Sequence, residues 1–104
     1  MSKKVLYFIT SEDITGVELA MEHTEEDDVT ILLLQNAVYF ANKSNKAVSQ
    51  ALNQNKKVAA CEEHIEIRGL SNFISDKIKL IASDDVIDLI FKSDSIINME
   101  LKNN

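Results

Sequence analysis

The chain has little cysteine, proline, glycine and arginine, and each shortage excludes a class of protein. Its one cysteine, Cys61, rules out an internal disulfide and favours a cytoplasmic protein. Two glycines and no proline leave no glycine-rich loop of the kind that holds the phosphates of dinucleotides or nucleoside triphosphates. One arginine, Arg68, and a net charge of -6 disfavour direct nucleic-acid binding, because affinity for the phosphate backbone comes from clustered Lys and Arg.

Long hydrophobic runs are also absent, since no apolar stretch approaches the roughly 18 residues that a membrane helix needs. The start of the chain, MSKK, leads through a short apolar run into acidic residues without a small-residue cleavage site, so we expect no secretory signal. Hydrophobic residues at 45% and charged residues at 27% are typical of a globular protein. We therefore expect residues 1–104 to form one domain, large enough to bury roughly two-thirds of the surface of its unfolded chain.

The run Val29–Leu34 is the most informative stretch of the chain. It consists of β-branched and aliphatic residues without polar alternation and is too short for a free-standing helix, which predicts a central strand buried on both faces. Gln35 and Asn36 end the run, and helix-forming residues that include Tyr39 follow. Ligands and partners bind at such strand-to-helix turns in parallel sheets, so these three residues form a candidate ligand or partner turn. The alternative is that Asn36 only caps the following helix.

Further strands and helices alternate along the chain. The other predicted strands are Lys4–Ile9, Lys57–Cys61, Ile78–Ile81 and a short edge strand Ser95–Met99. The first predicted helix begins at the possible capping residues Thr10–Asp13, and the segment Asn36–Asn53 is predicted to form one interrupted helix or two short ones. A further helix is predicted at Glu62–Ile67, and the last one begins at Ser83–Asp85, which supply its N-cap and acidic first turn. This order predicts a three-layer α/β domain with a mostly parallel sheet of four to five strands and helices on both faces.

The ends and faces of these helices can be predicted in more detail. Gly69 is a natural left-handed cap, with Arg68 near the negative end of its helix. Ser83 is the predicted N-cap of the last helix. The buried face of that helix is predicted to contain its large apolar residues, Val86, Ile87, Leu89, Ile90 and Phe91.

Two features near the first helix are predicted to be exposed. His23 falls at the end of that helix and is most simply a surface residue. The acidic run from Glu25 to Asp28 is predicted to be a solvated loop, since no nearby residues add the converging ligands of a metal site.

The only cluster of reactive residues is Cys61, Glu62, Glu63 and His64. A thiol at a helix N-terminus is favoured as thiolate, and His64, three residues later, could reach back to it. The neighbouring glutamates oppose a second negative charge, and a lone cysteine in an apolar strand is commonly a small buried hydrophobe. Both interpretations remain open. We expect no metal, because a second pair of ligands is missing.

Three segments resemble a known family. ILLLQNAVYFA is similar to its strand-to-helix signature, CEEHIEIRGL to its acidic pair followed by Ala-Arg-Gly-Leu, and ISDKIKLIASDDVIDLIFKSDSI to its C-terminal third. In this order and spacing they resemble the DsrH/TusB family of sulfur-relay proteins, part of the DsrE/F/H superfamily. The resemblance covers approximately Val29 to Met99.

The resemblance implies a small α/β subunit that assembles with DsrE/TusD-like and DsrF/TusC-like chains. Such complexes pass persulfide sulfur to an acceptor protein, either toward 2-thiouridine at the tRNA wobble position or within dissimilatory sulfur metabolism. The sulfur-bearing cysteine of the family belongs chiefly to the DsrE/TusD-like subunit. The resemblance implies no cofactor.

The chain departs from the family pattern at two places. Ala37 stands where glycine is usual, so we expect no strained turn there. Cys61 stands where many relatives have an aliphatic residue. Some superfamily members have Cys-x-x-Cys before Arg-Gly, and here Cys61 and His64 occupy those positions, although histidine cannot carry a persulfide.

We therefore expect a cytoplasmic, non-catalytic or accessory subunit of a sulfurtransferase complex. Its candidate site combines the turn described above with a second motif, whose residues are Glu62, Glu63, His64, Arg68 and Gly69. Two alternatives remain: an independent sulfurtransferase with Cys61 as persulfide carrier, and a homo-oligomeric binding module that uses the Gln35-Asn36 turn.

Overall fold

A five-stranded, fully parallel sheet forms the centre of the protein, in a computed structural model that describes residues 2–98. Its strands are β1 (Lys4–Ile9), β2 (Asp28–Leu33), β3 (Lys57–Cys61), β4 (Lys79–Ile81) and β5 (Ser95–Asn98). Their spatial order is β4-β3-β2-β1-β5. The prediction of an α/β fold is confirmed, and of the predicted last strand only Met99 lies outside the described residues.

β2 is the central strand, paired on one side with β1 and on the other with β3. Successive side chains of a strand point to opposite faces of the sheet. Ile31 and Leu33 accordingly lie in one hydrophobic cluster, and Leu32 and Leu34 lie in the other. The prediction of a strand buried on both faces is confirmed, and it explains why the run has no polar alternation.

Within residues 2–98, four α-helices and two 3-10 helices connect the strands. The α-helices are α1 (Thr15–Glu22), α2 (Lys46–Asn53), α3 (Glu62–Ile67) and α4 (Ser83–Lys92), and the 3-10 helices are Gln35–Ala41 and Ser71–Phe73. The segment after β2 is therefore two short helices, the second capped by Asn45, whose side chain accepts a hydrogen bond from the Val48 N–H. None of the helices within residues 2–98 is long and apolar enough to cross a membrane.

The two faces of the sheet are covered unequally. Residues from α1, α2, α3 and the 3-10 helix Gln35–Ala41 belong to the larger cluster, whereas α4 is the only described helix that packs against the smaller one, through Val86, Leu89 and Ile90. The prediction that Ile87 and Phe91 are also buried is wrong, because their side chains are 57% and 82% exposed. At 100° per residue these two positions lie on the flank of α4 that is turned away from the sheet.

Both predicted side-chain caps are misplaced. α1 begins at Thr15 with Ile14 as N-cap and no side-chain cap bond, while the Asp13 carboxylate accepts hydrogen bonds from the N–H and hydroxyl of Thr15. The N-cap of α4 is Ala82, so Ser83 is its first residue. Capping preferences identify suitable residue types, but they do not select one position among several adjacent candidates.

His23 is partly buried, which contradicts the prediction of a surface residue. The Tyr7 hydroxyl and His23 Nδ1 are 2.9 Å apart, and His23 Nε2 lies 2.7 Å from Asp27 Oδ2. The acidic run is not simply a solvated loop either, since Asp27 belongs to this chain of bonds and Asp28 pairs with Lys57 at 3.1 Å. These contacts link β1, the end of α1 and the loop before β2.

The environment of this cluster shifts the pKa values of two groups. The hydrogen bond from His23, together with that from the Lys3 N–H, lowers the pKa of Asp27 below its usual value of 3.8. Burial raises the pKa of the Tyr7 hydroxyl above 10.0. A lowered carboxyl pKa means that folding favours the carboxylate, so its stabilisation is present above the unfolded pKa and is lost as the pH falls through the folded one.

We predict that Asp27→Asn lowers the melting temperature at neutral pH and that this difference shrinks as the pH falls below about 4, where the wild-type carboxylate becomes protonated. Thermal unfolding followed by circular dichroism across this range measures the effect. Glu26→Gln, which removes a carboxylate from the neighbouring exposed position, should change the melting temperature much less. A difference between Asp27→Asn and wild type that stays constant with pH would contradict the stabilising role of the Asp27 carboxylate.

Candidate functional site

The candidate site lies at the carboxyl ends of β2, β3 and β4. Because the strands are parallel, the residues that follow them meet at one edge of the sheet. The Gln35-Asn36 turn follows β2, Cys61 ends β3, and Ser83 follows β4. Most of the residues predicted from the sequence are brought together here, and each makes a specific contact.

Gln35 makes the turn after β2 in a left-handed conformation, with φ at 51°. This conformation costs a residue with a side chain roughly 1–2 kcal/mol. The Gln35 N–H donates to His64 Nδ1 at 2.8 Å, which helps to hold the turn. Ala37 itself has no left-handed backbone, in agreement with the expectation for that position, and the strain lies two residues earlier at Gln35.

His64 consequently has a defined role on α3. Since its Nδ1 accepts a backbone hydrogen bond, the neutral ring carries its proton on Nε2. The predicted contact with Cys61 is replaced by this bond to Gln35. A doubly protonated ring could not accept from the Gln35 N–H, so the bond requires neutral His64.

Asn36 does not cap a helix, which corrects the simpler interpretation of this residue. The 3-10 helix after β2 has Leu34 as its N-cap without a side-chain cap bond. The Asn36 Oδ1 atom instead accepts two hydrogen bonds from Arg68, one from Nη2 at 3.0 Å and one from Nε at 3.2 Å. Two bonds from one planar guanidinium fix the amide relative to α3.

Arg68 is placed by the end of α3, as the sequence predicted. Its Nη1 donates to the His64 carbonyl at 3.3 Å, and Gly69 follows with φ at 69°. A Cβ added at Gly69 would have no neighbouring atom within 4 Å. Glycine is therefore favoured here by the left-handed backbone and not by lack of space. Arg68 thus joins the end of α3 to the turn after β2.

Cys61 is buried, with 1% of its surface exposed, in the small hydrophobic cluster beneath α4. It is the N-cap of α3 but makes no side-chain cap bond. Its sulfur lies 3.7 Å from the Ser83 hydroxyl oxygen, and that hydroxyl in turn donates to the Glu63 carboxylate. Of the two interpretations of Cys61, the geometry favours the small buried residue.

Ser83 is the site residue that the sequence reasoning missed. Its sequence context predicts only a helix cap, whereas its hydroxyl connects β3, α3 and α4. The signal that could have identified it is its position after a predicted strand, since every such position lies at the same edge of a parallel sheet.

The remaining predicted residues have exposed side chains or provide backbone geometry. Glu62 is exposed on α3, and Tyr39 is 42% exposed on the 3-10 helix after β2. Ile67 on α3 and Phe73 on the second 3-10 helix are also exposed apolar residues. Within residues 2–98, no three His, Cys, Asp or Glu side chains are placed to hold a metal ion.

Solved structures with the same fold come from several organisms. The YchN protein from E. coli superposes with a TM-score of 0.79 at 19% identity, covering 95% of this chain and all of that one. MTH1491 from Methanobacterium thermoautotrophicum, a protein of unknown function, gives 0.77 at 14% identity, covering 93% and 99% of the two chains. BT1422 from Bacteroides thetaiotaomicron, also of unknown function, gives 0.70 at 13% identity, with 93% and 95% covered.

At these identities the likeness establishes the fold alone. No curated protein is significantly similar in sequence. The family model described as "DsrH like protein" matches residues 9–96, which include every residue of the candidate site. The chain therefore belongs to the family of DsrH-like proteins.

Proposed function

We propose that this protein is a subunit of a heteromeric sulfur-relay complex, in which it supports persulfide transfer toward tRNA wobble-uridine 2-thiolation or within dissimilatory sulfur metabolism. Membership of the DsrH-like family is the first support. The observation that carries the accessory role is the burial of Cys61, because persulfide exchange requires a sulfur that another thiolate can reach.

The chemistry around Cys61 supports the same role. The thiol sits among aliphatic side chains that include Leu32 and Ile81, and the Glu63 carboxylate lies beyond the Ser83 hydroxyl. No cationic group is bonded to the sulfur within the described residues, whereas reactive cysteines sit in electropositive, partly exposed surroundings. We therefore assign the reactive sulfur to a DsrE/TusD-like partner.

The surface that would meet the partners is the edge that carries the turn after β2. Bonds to His64 and Arg68 hold Gln35 and Asn36 in place, so little side-chain and backbone freedom would be lost on binding. Tyr39 adds exposed aromatic surface beside this turn, and aromatic residues are enriched in interfaces. DsrE/TusD-like and DsrF/TusC-like chains are the proposed occupants, with a sulfur-acceptor protein acting downstream in the cytoplasm.

A homo-oligomeric binding module remains the second candidate. It is favoured by the same exposed turn, which could receive a small ligand or a loop of another copy. An independent sulfurtransferase is less well supported, since Cys61 would have to leave its cluster before reacting. Co-expression with the proposed partners separates the first two candidates, and sulfur loading tests the third.

We predict that the chain co-purifies with DsrE- and DsrF-like partners, or forms at least a dimer by itself, and that Tyr39→Arg prevents co-purification by placing a charge within the contact. Leu19→Arg on α1 is the matched control, because Leu19 is 41% exposed and lies outside the site. Affinity purification after co-expression and light scattering of the single chain measure the two properties. A monomer at high concentration that captures neither partner would contradict the proposal.

We also predict that Cys61→Ala and Cys61→Ser leave complex assembly intact and change sulfur transfer by less than about twofold, because the partner carries the sulfur. The alanine variant keeps the apolar character of the position, whereas serine places a hydroxyl among aliphatic side chains. Radiolabelled sulfur from a cysteine desulfurase, followed on each subunit, should appear on the partner. Stoichiometric label on Cys61 that both variants lose, together with transfer, would establish the independent sulfurtransferase instead.

A further inference from the structure

A recess, the amino-edge groove, opens mainly toward the amino ends of the strands, away from the turn after β2. It has a volume of about 650 Å³ and is lined by residues of β1 to β4, among them Ile81 at the end of β4, and by one side of α4. Val58, Ala59, Ile81 and Leu89 contribute apolar surface to it. Gln35, Cys61, Glu63, His64 and Ser83 do not line this groove, although Ile81, which belongs to the same cluster as Cys61, does.

The charge of the groove is opposite to that of the whole protein. Lys4, Lys56, Lys57, Lys77, Lys79 and Lys92 line it, against the three aspartates Asp28, Asp85 and Asp88. The complete chain has eleven basic and seventeen acidic residues. Positive charge is therefore concentrated at one place on an acidic protein, which creates a local attraction for anions.

Two of these lysines have structural partners. The Lys56 ammonium is buried and donates to the His23 carbonyl at 3.0 Å, and Lys57 pairs with Asp28. The other four, Lys4, Lys77, Lys79 and Lys92, are exposed, and none of them forms an ion pair within residues 2–98. Their charges are available to a ligand.

The fold places two of the available lysines on the inner side of the sheet. Lys79 is in register with Ala59 and shares a face with Ile81, which belongs to the cluster beneath α4. Lys4 is two residues before Leu6 and shares the same face. Both side chains are exposed, so a ligand in the groove can reach them.

We propose that the amino-edge groove binds a small molecule that carries an oligophosphate, of the size of a nucleoside triphosphate. Its volume lies in the range of about 300–1,000 Å³ that is typical of small-molecule sites. Ammonium groups form strong, charge-assisted hydrogen bonds with phosphate oxygens. Asp85 and Asp88 can accept hydrogen bonds from sugar hydroxyls or a base amino group, and the apolar surface can contact the base.

A bare acidic protein segment fits these observations less well. Stable protein partners need roughly 800 Å² of surface on each side, whereas this positive surface is confined to one recess. The carboxylates of Asp85 and Asp88 on α4 would also face, and repel, the carboxylates of such a segment. An oligophosphate places several negative charges within a few ångströms, which matches clustered lysines from separate strands.

Calorimetry with the purified full chain at low ionic strength tests the proposal with three probes: ATP, inorganic tripolyphosphate and adenosine. We expect ATP to bind most tightly, tripolyphosphate to bind more weakly and adenosine to bind weakest, with affinity falling as salt is added. Amide chemical shifts should move at Thr30, Ala59 and Leu89 in the groove. Failure of both phosphate probes to bind at millimolar concentration, or shifts confined to Gln35 and His64, would overturn the proposal.

The double variant Lys79→Gln with Lys92→Gln should weaken ATP binding by about tenfold or more, because two charges leave the recess. The matched control is Lys43→Gln with Lys46→Gln, which makes the same change of net charge at exposed lysines outside the groove and should bind like wild type. Equal affinity of the two double variants would overturn the proposal. So would displacement of ATP by an oligoglutamate peptide at lower concentration than by tripolyphosphate. These outcomes are independent of sulfur transfer.

Discussion

The burial of β2 on both faces is the constraint on which the rest of the structure depends. Six consecutive residues with little polar character, Val29–Leu34, can be removed from water only between two paired strands and beneath helices on both sides. Parallel pairing then requires a crossover between consecutive strands, so the intervening segments become helices. The same pairing aligns the carboxyl ends of β2, β3 and β4, which places Gln35, Cys61 and Ser83 at one edge.

The turn after β2 shows how local strain is compensated by neighbouring elements. The left-handed Gln35 costs roughly 1–2 kcal/mol, and a hydrogen bond with a net value of about 0.5–1.5 kcal/mol to His64 offsets much of it. Arg68 adds two bonds to the adjacent Asn36. The three contacts come from α3 and from Arg68 directly after it, so the shape of the turn depends on the docking of that helix. A rigid, exposed turn is well suited to a subunit whose proposed work is recognition.

The two ends of the sheet differ in chemistry. At the carboxyl end, a buried thiol and a fixed polar turn support the proposed place in a sulfur-relay complex. At the amino end, lysines on the inner side of the strands form the amino-edge groove, while the Tyr7, His23 and Asp27 cluster ties α1 to the sheet nearby. The two regions meet at Ile81, which lines the groove and belongs to the same cluster as Cys61.

The sequence by itself determined the strands, the α/β class and the position of the turn, because these follow from local periodicity and from the small set of packings that can bury it. The resemblance of its motifs also identified the DsrH-like family, which the family model confirms.

Only the tertiary structure decided the partners of the side chains. From the sequence, Asn36 is either a ligand or partner residue or the cap of its own helix, and in the structure it binds Arg68, 32 positions away. The sequence suggests a contact between Cys61 and His64, yet the Cys61 sulfur lies beside Ser83 on the face of the sheet covered by α4. Many residues could form a hydrogen bond with the same donor or acceptor. Strand order and register determine which of them lies close enough, and no local sequence pattern encodes that order or register.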